Sequence, residues 1–315
     1  MKLIPITILL SCITITQAEQ KKDKPPVWLD AGKAAKEHPG FTHLGEYHDE
    51  KQNRFIQVTP LKSDLKHNDP DRSFLVTQYA KGFPGRGWDG TPAVSNVAST
   101  VHLAGILKNA KRITYTSPTI GKKAPANAIT MPNGFTNVKD GILWAGGQTK
   151  KDVGSFKMHL EFRLPYKPHR NPSNQDKGNS GIYIYNNYEI QVLDSFGLDY
   201  SAKKFPIKTE SKPFQWCGCL YKMKMADVNM SLPALTWQTY DIEFTAPVFE
   251  GDKKTKNAVL TVYHNGVKIH DKVELKTGTG AGARRKQLAK GPIIFQDHGN
   301  PTTFRNVWIV ETDAR

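Results

Sequence analysis

Residues 154–164 read Gly-Ser-Phe-Lys-Met-His-Leu-Glu-Phe-Arg-Leu, an unbroken alternation. Phe156, Met158, Leu160, Phe162 and Leu164 point one way, and Lys157, His159, Glu161 and Arg163 point the other. Period two over this length predicts a strand with one face on a core. The pattern recurs downstream. Gly181 to Tyr185 and Tyr188 to Leu193 read as two strands joined by a turn at Asn186-Asn187. Trp237 to Phe244 and Val259 to His264 follow, and Asn265-Gly266 is a strong hairpin signal before Val267 to Ile269. Pro292 to Phe295 and Phe304 to Val310 close the chain. Upstream, Phe55 to Val58 and Ser73 to Tyr79 are short runs of β-branched and aromatic residues. Residues 82–90 carry too much glycine for a helix. No long helical period and no repeat of 20 to 50 residues interrupts the series. Many short strands joined by turns predict an all-β, antiparallel sandwich with few or no helices.

The remainder of the sequence bounds what such a sandwich does. At 315 residues and 38% hydrophobic content the chain can fill a sizeable core. Its formal charge of +15 is spread over short groups such as Lys21-Lys22, Lys203-Lys204 and Lys253-Lys254. A nucleic-acid binder would gather lysines on one stripe with aromatics between them, so nucleic acid is not expected as a partner. Lys2, the apolar run from Leu3 to Thr16 and Thr16-Gln17-Ala18 read as a signal peptide over residues 1–18. That run is short for a membrane span, and no other stretch is long and apolar enough to cross a bilayer. A secreted or periplasmic protein is expected, with lipid attachment through Cys12 as the alternative. Residues 19–37 read as a polar leader, 38–150 as a β-rich extension, and 151–315 as the core sandwich, with strands from 100–150 as potential members. Cys217 and Cys219, one glycine apart, suit neither a relaxed disulfide nor a complete zinc site and read as packed thiols.

The segment Gly178 to Gly197, G-N-S-G-I-Y-I-Y-N-N-Y-E-I-Q-V-L-D-S-F-G, follows E-F-R-L-P at 161–165. Later come W-Q-T-Y-D-I-E-F-T-A-P (237–247), V-Y-H-N-G-V-K-I-H-D (262–271) and Q-D-H-G-N-P-T-T-F-R-N-V-W (296–308). This series resembles the 3-keto-disaccharide hydrolase domain family. H-P-G-F-T-H-L-G-E-Y (38–47) and G-F-P-G-R-G-W-D-G (82–90) are similar to the N-terminal extension that some members carry. The resemblance implies a concanavalin A-like jelly roll of two curved antiparallel sheets with a sugar site on the concave face. It also implies a carbohydrate substrate and a separate sugar-oxidising dehydrogenase as the supplier of that substrate.

Glu189 and Gln191 share a strand face, and Asp194 joins them if the strand bulges. The spacing E-x-Q-x-x-D is similar to the E-x-D-x-x-E layout of sandwich-fold endoglucanases, with the middle acid replaced by Gln191. A retaining hydrolase needs two carboxyls at about 5 Å, which this departure disfavours. A ketone at C3 of a sugar opens another route, because it acidifies the C2 hydrogen and permits elimination of the C1 substituent. That chemistry needs a base, a donor or cation for the enolate oxygen and an acid for the leaving oxygen. Glu161, Glu189, Asp194 and His298 are the candidate catalytic residues. Arg163, Asn179, Gln191, Tyr183 and Trp216 are the candidates for holding the sugar. Six of the nine have a structural alternative: a cross-strand ion lattice for Glu161 and Arg163, turn shaping for Asn179, a loop cap for His298, and core packing for Tyr183 and Trp216. His159 reads as a surface residue and His264 as part of a hairpin tip. No cofactor is expected and no local metal motif appears, though distant ligands would leave no such trace. A non-catalytic carbohydrate-binding module and an endoglucanase-type hydrolase remain the competing functions.

Overall fold

The computed structural model describes residues 25–62, 74–201 and 205–313. The signal-peptide segment, Cys12, Lys21-Lys22, Ser73 and Lys203-Lys204 lie outside them. Helix α1 (Ala31–Glu37) starts at an Asp30 cap, whose carboxylate accepts from the Lys33 N–H at 2.7 Å. Strands β1 (Gly45–Asp49), β2 (Arg54–Pro60), β3 (Phe74–Tyr79), β4 (Val94–Ala98) and β5 (Lys111–Ile113) form an antiparallel sheet in the order β4-β3-β2-β1-β5. Helix α2 (Thr100–Leu107), capped by Ser99, buries Leu103 among Ile56, Val58, Phe74 and Val76 of this sheet.

The next strands are β6 (Ile129–Thr130), β7 (Val138–Lys139), β8 (Ile142–Trp144) and β9 (Phe156–Arg163), then β10 (Ser180–Ile184) and β11 (Tyr188–Val192). After them come β12 (Trp237–Thr245), β13 (Val248–Glu250), β14 (Lys253–Lys256), β15 (Ala258–His264), β16 (Val267–Leu275), β17 (Ile293–Phe295) and β18 (Thr303–Glu311). One sheet runs β16-β15-β12-β9-β18-β8-β7, with β6 paired to β18; the other is β11-β10-β17. Strands β6 to β8 therefore belong to the sandwich, and the separate N-terminal sheet ends at Ile113.

The two sheets face each other across one core. Phe156, Met158, Leu160 and Phe162 of β9 enter it from one side, and Ile182, Ile184, Ile190, Val192, Ile293 and Phe295 enter it from the other. Each such side chain contributes about 1.5–3 kcal/mol by leaving water. Cys217 and Cys219 are free thiols within this core, so burial and not a crosslink holds the sandwich. The all-β antiparallel sandwich is as the alternation predicts. The turn after β10 differs by one residue, since Tyr185 and Asn186 take the left-handed conformation at φ 55° and 63°. Tyr185 accepts that conformation because its ring is buried against Phe244 and its hydroxyl donates to the Gly154 carbonyl.

The N-terminal sheet seats on the loop that follows β11. Thr59 donates to the Phe196 carbonyl at 3.2 Å and Thr77 to the Gly197 carbonyl at 2.7 Å. Among the described residues, no helix is long and apolar enough to cross a membrane.

Candidate functional site

The face of the β11-β10-β17 sheet turned away from the core is polar. Register aligns Glu189 with Tyr183 and Tyr183 with Ile294; the next row is Gln191, Gly181 and then Gln296, whose N–H bonds the Gly181 carbonyl at 2.9 Å. Gly181 leaves a hollow in the middle strand, and the Glu189 carboxyl fills part of it: a Cβ at residue 181 would stand 2.5 Å from Oε1. A side chain there would push the carboxyl aside.

Glu189 is 2% exposed. Burial raises its carboxyl to about 7, against the opposing effects of the Tyr183 hydroxyl and the Lys222 ammonium. Tyr183 donates to Oε2 at 2.7 Å. With the Gln191 amide nitrogen turned toward the sheet, it donates to Oε1 at 3.2 Å and to the Ser180 carbonyl at 2.9 Å. The backbone of Glu189 is fixed on both sides, its N–H on Thr279 Oγ1 at 2.7 Å and its carbonyl on the Tyr221 N–H at 3.1 Å. A cavity of about 630 Å³ is lined by Lys222, Thr277, Gly278, Gly280 and Arg284 among others, with the buried Thr279 between two of these in the chain.

Amides border the carboxyl on the opposite side. Asn179 is buried beside Gln191 and donates to Gln175 Oε1 at 3.2 Å. Gln175 Nε2 and Gln296 Oε1 are buried atoms without a partner, one a donor and one an acceptor. A hydroxylated ligand satisfies such atoms. The alternation of β17 already places Gln296 on this face, two residues after Ile294, whereas Gln175 sits in a loop that no strand period reaches.

Asp194 lies just beyond β11, 3% exposed, with burial raising its carboxyl against the pull of Lys177 and the Phe196 N–H. Its Oδ2 is 3.5 Å from Lys177 Nζ. The backbone N–H of Asp194 bonds the Lys177 carbonyl, and its carbonyl takes the Ser173 N–H. It thus anchors the 173–177 loop that carries Gln175. His298 is exposed on the loop continuing from β17, and its carbonyl accepts from Asn300 Nδ2 at 3.2 Å.

The structure separates Glu161 and Arg163 from this group. Leu160 and Phe162 face the core, so their neighbours on β9 face the far side of the larger sheet, across the sandwich from Glu189. There Glu161 accepts from Arg305 Nε at 2.7 Å, Gly121 N–H at 2.7 Å and Asn306 Nδ2 at 3.0 Å. Burial pushes its carboxyl up, but bonds from His159, Gly121, Arg305 and Asn306 outweigh that and hold it at about 2. The lattice alternative is what the side chains form. Arg163 packs its guanidinium 4.8 Å over the Trp237 ring, beside Arg305. His159 is not a surface residue: it is fully buried, 3.0 Å from Asp241 and stacked on Trp308. His264 ends its hairpin strand but is buried, with its Nε2 3.0 Å from Gln238 Oε1. Trp216 is also fully enclosed, stacked on Tyr200 with its Nε1 bonded to the Ser211 carbonyl, and offers no ring to a sugar. Among the described residues no three His, Cys, Asp or Glu side chains converge as metal ligands.

A family model described as the 3-keto-alpha-glucoside-1,2-lyase-like domain matches residues 110–310. Among solved structures, the chain is similar to a candidate glycosyl hydrolase from Parabacteroides distasonis at 28% identity. That match covers 60% of this chain and 85% of the other, with a TM-score of 0.49. A second candidate glycosyl hydrolase from the same organism matches at 19% identity, covering 59% and 89%, with a TM-score of 0.40. No curated protein matches in sequence.

Proposed function

The chain belongs to the 3-keto-alpha-glucoside-1,2-lyase-like domain family, and on that premise we propose that it cleaves 3-keto-glycosides with Glu189 as the base. The observation that carries this reading is a carboxyl held at about 7, buried, and aimed into the Gly181 hollow beside the side-chain amides of Gln191 and Asn179. A base poised near neutral pH is matched to proton abstraction.

In the proposed step Glu189 takes the C2 proton, and the C–H electron pair forms the enolate of the C3 ketone. The enolate collapses to restore the ketone, C1=C2 forms, and the C1–O bond breaks with its electrons on the leaving oxygen, which takes up a proton. Water then adds across the new double bond, hydroxyl at C1 and hydrogen at C2. Lys222 lies close enough to affect Glu189 electrostatically and steadies the developing charge, with the unpartnered Gln175 Nε2 and the second N–H of the Asn179 amide as the free amide donors on the other side, Gln191 being spent on Glu189 and Ser180. Asp194 with Lys177 positions the loop of Gln175. The exposed His298 borders the end of the sheet from which Gln296 projects. The proposal extends to place: the protein works outside the cytoplasm, secreted or periplasmic, on sugars oxidised at C3 by a separate dehydrogenase.

The test is incubation with matched glucosides and 3-keto-glucosides, with products followed by mass spectrometry. Release of aglycone from the keto form alone supports the elimination. Cleavage of the plain glucoside moves the assignment to a two-carboxylate hydrolase, and binding without cleavage moves it to a lectin.

The pH profile supplies a further expectation. Glu189 must be ionised to act, so kcat/KM rises with pH through about 7. The Tyr183 hydroxyl stabilises the carboxylate, and its loss raises the pKa further. Tyr183→Phe is therefore expected to move the rising limb toward higher pH, read from kcat/KM between pH 5 and 9. A limb that stays in place or moves down would separate Glu189 from the rate.

A further inference from the structure

A second concavity lies on the opposite face of the sandwich. Its volume is about 470 Å³, and its lining includes Thr119, Lys122, Lys157, Asp241, Tyr263 and Trp308. The segment 117–125 forms one wall and is tied down along its length. Thr119 Oγ1 is 2.7 Å from Thr239 Oγ1, Gly121 N–H donates to Glu161, and the Lys122 carbonyl accepts from Trp308 Nε1 at 3.2 Å.

Register sets the floor. Tyr263 pairs with Asp241, Asp241 with His159, and His159 with Trp308, so four neighbouring strands present these residues in one row. Adjacent strands stand about 4.8 Å apart, so the row spans about 14 Å, the length of roughly two or three pyranose rings. Tyr263 is half-buried at one end and leaves part of its ring open.

The charges in the groove answer one another. Asp241 Oδ1 meets Lys122 Nζ at 2.7 Å and His159 Nδ1 at 3.0 Å, and Lys157 pairs with Glu243 at 3.4 Å. The two lysines and the two carboxylates of the groove balance one another. What is left is Asp241 Oδ2, an acceptor with no partner, together with ammonium donors and an aromatic ring. A neutral, hydroxyl-rich chain uses all three, donating to the carboxylate, accepting from the lysines and laying its C–H face on the tyrosine.

We propose that this groove is a second, non-catalytic binding site for a neutral oligosaccharide, on the face remote from Glu189. The proposal does not depend on the chemistry assigned to Glu189. Cellohexaose, maltohexaose and xylohexaose serve as probes, titrated calorimetrically into the full chain. At least one is expected to bind with Kd of about 10⁻⁴ to 10⁻³ M. Tyr263→Ala is expected to weaken it about five- to tenfold, Tyr263→Phe to restore it, and Glu189→Gln to leave it unchanged. Turnover of a small 3-keto-glucoside is expected to be the same in Tyr263→Ala and the parent. The proposal is overturned if no hexaose binds at about 10 mM, if Tyr263→Ala binds as the parent does, or if Glu189→Gln alone abolishes binding.

Discussion

Glu189→Gln is expected to lower turnover of a 3-keto-glucoside by about 10²- to 10⁴-fold, the range that a positioned general base supplies. The same substitution is expected to make the protein more stable at pH 8. The sign follows from the raised pKa. The folded state holds the Glu189 proton up to about 7, whereas the unfolded chain releases it near 4.5. Between those values the native state binds more protons, so stability falls as pH rises through the window, and the full penalty stands above it. The gap corresponds to at most about 3 kcal/mol. Glutamine carries no charge into the burial and still accepts from Tyr183. Denaturant melts at pH 4.5 and pH 8 read the effect: the variant gains over the parent at the higher pH and little at the lower. A group that costs stability and is needed for turnover is the mark of a functional residue. Full turnover in Glu189→Gln ends the assignment.

The period-two alternation of residues 156–162 made β9 and the sandwich legible, because alternation is a local property that burial of one face imposes on a strand. The same alternation along 188–193 made Glu189 and Gln191 readable as neighbours on one face; the pairing of Tyr183 with Glu189 was not, because a two-residue turn at Asn186-Asn187 would set Ile184 opposite Glu189. The mistaken union of Glu161 with Glu189 has a clear physical origin. Both stand on the side of their strand opposite the core, and alternation names that side without naming which of the two sheets it belongs to. The core between Leu160 and Ile190 lies between the two outer faces. Trp216 was unreadable for a different reason. It sits outside any strand, and its burial depends on Tyr200 and Phe205, contacts that no period encodes. Gln175 joins the site only through the anchoring of its loop by Asp194 and Lys177, a long-range arrangement.

Glu161→Ala is expected to destabilise the protein by about 3–5 kcal/mol while leaving kcat/KM of the folded fraction within about twofold of the parent. The carboxylate receives Arg305, Asn306 and the Gly121 N–H, and His159 lies 4.0 Å away. Burial lowers the pKa of His159, but its bonds to Asp241 and Glu161 outweigh that and raise it; removal of Glu161 takes away one of those partners and leaves the Arg305 guanidinium without its anion. The Gly121 N–H loses its acceptor as well, and with it one tie of the 117–125 segment to the sheet. An uncompensated buried charge is among the costliest changes a core can suffer. The pH dependence has the opposite sign to that of Glu189. The folded value of about 2 lies below the unfolded 4.5, so the contribution is present above about 4.5 and is lost as pH falls toward 2. The parent is therefore expected to lose stability across that acid range, and Glu161→Ala to lose less of what remains. Denaturant titrations at pH 3 and pH 7 with turnover at pH 7 decide the matter. Turnover lost as deeply as in Glu189→Gln, with stability intact, would return Glu161 to the chemistry and take it out of the lattice.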